Sequence, residues 1–250
     1  MRTGIAMAWA FSAVMLVAQT KAPAGSIPRM PDGKPSFAGV WAGPAFAHNV
    51  GPNDTDTPVV TNFDPKRMSP LLPGAESIFR QKPTGDVRHD DPTELCLPDG
   101  HPREALAPYA QQIVQTPDTV VFLYEYMHFF RVIPINKPHP ADVDSTFMGD
   151  SVAKWDGDTL VIDTVGLREW TLAASSQWHS DALHTVERLR HLDASTVSYE
   201  ITIDDSKLFT KPWSQVFQMK LHPTWKLLEQ VCEENNRCES GKCSPSDTQK

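Results

Sequence analysis

Residues 151–165 read Ser-Val-Ala-Lys-Trp-Asp-Gly-Asp-Thr-Leu-Val-Ile-Asp-Thr-Val. Two β-prone runs, 151–155 and 159–165, flank Asp156-Gly157-Asp158. An Asp-Gly pair between alternating apolar residues signals a hairpin, because the tight turn needs positive φ at its centre. The layout recurs downstream, where 184–191 and 196–204 flank Asp193-Ala194-Ser195. Residues 213–221 add a strand, and 227–233 add another strand or a short helix. Upstream, 120–135 is rich in Val, Phe and Tyr and reads as one strand, or a strand bent near His128. These strands follow one another at hairpin spacing without helical crossovers. The expected class is therefore all-β and mainly antiparallel, curled into a barrel or a sandwich.

The rest of the chain agrees with one β-rich domain over 25–250. Proline is high, 22 of 250 residues against a usual ~5%, which disfavours a helical protein. It concentrates in 44–118, expected to be an irregular wrap holding short helices at 68–80 and 105–110. Residues 37–41 read as the first strand, 119–233 as the antiparallel strands, and 234–250 as a cysteine-bearing tail. An apolar content of 40% suffices for a core and argues against global disorder. The balance of 23 basic and 31 acidic residues gives −8, the wrong sign for a nucleic-acid partner.

Residues 1–24 have the shape of a signal peptide, with Arg2, an apolar run over 5–18 and the exit Ala22-Pro23-Ala24. That run is shorter than the ~20 residues of a bilayer-spanning helix. The expectation is a secreted or periplasmic protein beginning at Gly25, without membrane insertion. In an oxidising compartment the four cysteines, Cys96, Cys232, Cys238 and Cys243, favour disulfides. Three pairings are possible. We expect Cys96–Cys232, tying the middle of the chain to its end, and Cys238–Cys243, closing a small loop. The C-x5-C-x4-C spacing lacks the close pairs of a zinc site.

Several stretches together resemble a large, mostly uncharacterised family of secreted bacterial proteins. They are Pro31-Asp32-Gly33-Lys34-Pro35 with Gly39-Val40-Trp41, Cys96-Leu97-Pro98 with Pro102-Arg103, and Met148-Gly149-Asp150-Ser151 with Trp155-Asp156-Gly157-Asp158. His179-Ser180-Asp181-Ala182-Leu183-His184 with Glu187-Arg188, Ile203-Asp204-Asp205 and Pro212-Trp213 complete the pattern. The chain departs from it at Asn136-Lys137-Pro138, where the family has an Asp-Gly turn. The resemblance implies secretion and one β-rich domain, and no activity. Through the Gly-x-Trp of its first strand the chain is also similar to lipocalin-like barrels.

Strand alternation nominates the chemistry. If 120–133 is one strand, Glu125 and Arg131 share an otherwise apolar face. Charges there are costly unless paired or useful. Asp163 and Glu187 place carboxylates on later strands, and His179 with His184 adds imidazoles. Such a set suits general acid–base work, a carboxyl abstracting a proton while Arg or His stabilises an oxyanion. The structural alternative is a set of cross-strand ion pairs. Trp41, Tyr124, Tyr126, Phe129 and Trp178 are core aromatics or the lining of an apolar pocket for substrate. The H-x4-H-x2-E spacing matches no metal template. No phosphate loop, G-x-G-x-x-G or G-x-S-x-G is present, so neither a cofactor nor a serine-hydrolase site is expected. Two readings follow: a cofactor-independent lyase, isomerase or hydrolase acting on a small, largely apolar organic molecule, or a non-catalytic carrier or scavenger of one.

Overall fold

In a computed structural model, residues 25–43, 66–80, 84–173, 177–232, 238–239 and 242–243 are described. The signal-peptide expectation lies outside these residues. The protein is mostly β, and its strands pair antiparallel. One sheet has four strands in the order β1 (Gly39–Ala42), β2 (Ala110–Gln115), β3 (Thr119–Tyr124) and β4 (Phe130–Pro134). The second has five. It runs from β11 (Trp213–Lys220) through β10 (Thr196–Asp205), β9 (Leu183–Asp193) and β6 (Thr159–Val165) to β5 (Asp150–Asp156). The two expected hairpins are β5–β6, closed by Gly157 at φ 59°, and β9–β10.

The two sheets touch at both margins through single bridges. Trp41 bridges Leu221 beyond β11, and Ile135 beyond β4 bridges Ala153 of β5 in parallel. Between them lies one shared core, including Trp41, Phe122, Ile133, Leu160, Leu189 and Ile201. Alternation sorts the long strands: Leu183, Thr185, Glu187, Leu189 and His191 of β9 point inward, as do Val197, Tyr199, Ile201 and Ile203 of β10. Each alternate side chain of a strand meets the same face, so polar residues at those positions are carried into the interior.

Three expectations need correction. The 120–135 run is not a strand but the β3–β4 hairpin, in which Leu123 pairs with Phe130 and Phe122 with Arg131. A 3-10 turn at Tyr126–His128, with Met127 at φ 54° and His128 at φ 57°, reverses the chain. Neither is glycine or asparagine, so the turn carries no ordinary sequence signal. The proline-rich wrap also contains a strand, β2, which lies inside the four-stranded sheet. Its helices are single turns: α1 (Glu76–Phe79), α2 (Val87–Asp90) and α3 (Arg103–Leu106). The described part of 227–233 forms no strand or helix. A small hairpin of β7 (Trp170–Ala173) and β8 (Gln177–His179) was not foreseen.

Cys96 and Cys232 form a disulfide with Cα atoms 5.6 Å apart. Cys238 and Cys243 face one another in register between the two-residue strands β12 (Cys238–Glu239) and β13 (Lys242–Cys243). Their side chains lie outside the described residues. At the start of the Asn136-Lys137-Pro138 segment, Asn136 takes φ 58°, a left-handed conformation that asparagine tolerates better than most residues.

Candidate functional site

Arg131, Glu187 and Tyr124 converge in the interior. The Arg131 guanidinium donates to Glu187 Oε2 at 2.6 Å and Oε1 at 3.1 Å, and to Ser151 Oγ at 2.9 Å and Thr164 Oγ1 at 3.0 Å. It also lies 3.4 Å from the Tyr124 hydroxyl. Tyr199 donates to Glu187 Oε1 at 2.5 Å. Burial pushes the Glu187 carboxyl up, but Arg131 and His101 beside it outweigh burial and hold it well below the carboxylate range. Both Glu187 oxygens are satisfied. This arrangement anchors β4, β5, β6, β9 and β10 and leaves no base poised to take a proton.

Arg131 Nε lacks a partner, as do atoms of Gln177, Trp178 and His179, but the largest such group among the described residues lies in the loop from Leu97 to Glu104 that precedes and begins α3. Gly100, at φ 74°, passes under Trp170 so closely that a Cβ would sit 2.8 Å from its ring. Trp170 Nε1 donates to Pro98 O at 2.7 Å, and the His101 amide donates to Phe147 O at 2.8 Å. The Trp170 contacts fix the loop against β7, and the Cys96 disulfide ties its start to Cys232. His101 is buried with Nε2 2.8 Å from Thr185 Oγ1 and with Nδ1 lacking a partner. Burial, then the Arg131 charge, lowers its pKa to about 3, so it is neutral. Asp99 is raised to about 6 by burial, against the pull of Arg103.

Glu104 is the outlier. It is 2% exposed, and neither carboxylate oxygen has a hydrogen-bond partner. Burial, reinforced by Asp99 and opposed by Arg103, raises its pKa to about 9. It is therefore a neutral carboxylic acid at pH 7. An ionised carboxylate there would lose its hydration without compensation. Glu104 lines a crevice with Tyr109, Gln111, Tyr124 and Tyr126 that has no room for water. Tyr109 and Ala110 also line a neighbouring groove of about 450 Å³, whose other walls include Glu125, Trp225 and Leu228. Tyr109 stacks on Tyr126 at 4.7 Å and is 40% exposed, so its ring lines both the groove and the crevice that holds the acid.

The remaining nominated residues scatter. Glu125 is off the strand and does not share a face with Arg131; its carboxylate accepts from the Leu228 amide at 2.9 Å. Asp163 is on the outer face of β6, opposite to the interior Thr164. There it accepts from His139 Nε2 and His184 Nε2, both at 2.9 Å, and His139 Nδ1 reaches Asp150 at 2.5 Å. His179 is buried on β8, away from His184. Its Nδ1 donates to Ser180 O at 2.9 Å, and burial lowers it to about 4. Trp41 is core, donating to Phe37 O at 2.8 Å. Trp178 packs edge-on against Trp170, and Phe129 packs partly buried against the core. Of the nominated aromatics, Tyr124 and Tyr126 reach the Glu104 crevice. Among the described residues no group of three or more His, Cys, Asp or Glu is arranged to hold a metal ion.

Sequence reasoning missed Asp99, His101, Glu104 and Tyr109, and the network members Ser151, Thr164 and Tyr199. Tyr199 was reachable, since it shares parity with Ile201 and Ile203. Glu104 was not: no periodicity extends through its loop. No family model, curated protein or solved structure matches the chain.

Proposed function

We propose that the protein is a secreted, cofactor-independent enzyme that applies acid–base chemistry to a small, largely apolar organic molecule, with Glu104 as the proton donor. The observation that carries this reading is the state of Glu104, a buried acid without a hydrogen-bond partner and with a pKa of about 9. Groups of this kind cluster at functional sites. The apolar groove beside it supplies a place for the substrate, and displacement of Tyr109 joins groove to acid. Catalytic contacts often form only in the complex. Lyase, isomerase or hydrolase chemistry suits such a donor.

A lipocalin-like barrel belongs to the same proposal. It is supported by the bridges Trp41–Leu221 and Ile135–Ala153, where the two sheets meet. Secretion and kinship with the uncharacterised bacterial family rest on the leader-like residues and the motifs quoted above. The carrier reading is favoured by a different observation, the complete pairing of Arg131 with Glu187, since a carrier needs its interior charges neutralised.

The test is to identify by mass spectrometry any molecule retained through purification, and then to assay its conversion by the protein and by Glu104→Gln. Conversion lowered ~10²–10⁴-fold in the variant supports the enzyme. A retained molecule that is never converted supports the carrier. Conversion unaffected by Glu104→Gln removes Glu104 from the chemistry.

A further inference from the structure

A second concavity of about 720 Å³ lies on the outer face of the five-stranded sheet. The register sets its pattern. One row across β5, β6 and β9 reads Val152, Asp163, Val186, and the next reads Lys154, Val161, Arg188. Three valines thus form a floor on the solvent side of the sheet, and Val161 is only 5% exposed. At the margin toward β4, the Asn136 amide donates to Ala153 O at 2.7 Å, bringing Lys137 to the rim.

The charge of this groove departs from that of the chain. The protein carries −8 overall, yet the rim presents Lys137, Lys154 and Arg188. Its one carboxylate, Asp163, is already engaged by His139 and His184. Arg188 is paired with Asp156 at 2.7 Å. Among the described residues Lys137 and Lys154 form no ion pair; Lys137 senses Asp118 only at a distance. An apolar floor beneath two lysine ammonium groups without ion-pair partners suits a molecule with an apolar body and an anionic head. It opposes a cationic one, and a neutral one leaves the lysines unused.

We infer that this outer groove, distinct from the Tyr109–Trp225 groove, binds a small carboxylate with an apolar tail, its body on Val152, Val161 and Val186 and its carboxylate between Lys137 and Lys154. The site takes no part in the acid chemistry of Glu104. It gives the protein a second, charge-selective binding surface.

Titration of the full chain with decanoate, followed by valine-methyl NMR, tests this. Saturable shifts of the Val152, Val161 and Val186 methyls are expected, with 1-decanol binding roughly tenfold or more weakly. The double variant Lys137→Ala with Lys154→Ala should weaken decanoate by a similar factor while leaving the melting temperature unchanged, as both side chains are exposed. Absence of saturable shifts at these valines overturns the inference. So does equal binding of 1-decanol, or binding indifferent to the lysine substitutions. Decanoate shifts confined to residues around Tyr109 and Trp225 also overturn it and place the molecule in the other groove.

Discussion

Arg131 of β4 and Glu187 of β9, 56 residues apart in the chain, form a two-pronged ion pair at 2.6 and 3.1 Å in the buried interior. The pair holds one strand of the four-stranded sheet to one strand of the five-stranded sheet. Tyr199 adds a hydrogen bond to Glu187, and Ser151 and Thr164 accept from Arg131, whose Nε stays without a partner.

Breaking that pair from either side should be costly. Glu187→Gln or Arg131→Met leaves a buried charge without its counter-ion, and each should lose about 3–5 kcal/mol of unfolding free energy. Urea denaturation of the single variants reads this directly. A loss below about 1 kcal/mol would mean that water reaches the pair.

Glu104→Gln should do the opposite to stability. The folded pKa of Glu104 is about 9 against an ordinary 4.5, so the folded protein binds a proton that the unfolded chain releases. Stability therefore declines as pH rises from about 4.5 to about 9, and at pH 7 the contribution is on the order of −3 kcal/mol. The glutamine variant should lose that slope and be more stable at neutral pH, even as conversion of substrate falls. Denaturation midpoints of both proteins across pH 4–9 decide the matter, and parallel profiles would refute a protonated Glu104.

His139 should respond to pH in the same sense from an outer position. Burial lowers its pKa, but the hydrogen bonds to Asp150 and Asp163 outweigh that and raise it above 6.5. Both ring nitrogens face carboxylates, so the contact is complete only when both carry protons. Its stabilising effect is full below pH 6.5 and is lost as pH climbs through the raised value. Asp163, lowered below 3.8 despite partial burial, adds stability that is lost only in acid. Amide exchange in residues 136–149 should therefore accelerate from pH 6.5 upward beyond its intrinsic dependence, and His139→Gln should abolish the excess.

Removing the Cys96–Cys232 link, with its sequence separation of 136, should cost about 4–5 kcal/mol on the chain-entropy account. Because Cys96 begins the loop carrying Asp99, His101 and Glu104, Cys96→Ser should also lower conversion at temperatures where the protein remains folded. A variant with unchanged stability would show that loop packing alone holds the segment.

The hairpins β5–β6 and β9–β10 and the strand β11 were legible because their cues are local, whereas β7–β8 was not. The Asp-Gly turn and the alternation around it mark β5–β6, and alternation with a short polar turn marks β9–β10. Glu187 and its inward parity could be read in the same way. The run from 119 to 135 misled for a matching reason: its reversal at Met127 and His128 uses positive φ without glycine or asparagine. Once the chain turns, the parity count restarts. Glu125 therefore leaves the face of Arg131, which turns inward with Ile133.

Composition and periodicity by themselves determined that this chain is antiparallel and β-rich, and they supplied the cysteine count from which the Cys96–Cys232 pairing was expected. The tertiary structure alone decided which charges meet and which are left without partners. Arg131 finds Glu187 across 56 residues, and Asp163 turns outward to two histidines. Glu104 becomes a neutral acid because Tyr124, Tyr126 and its own loop close over it. Strand patterns are written in neighbours two residues apart, whereas the dehydration that shifts a proton comes from residues the chain brings together only on folding.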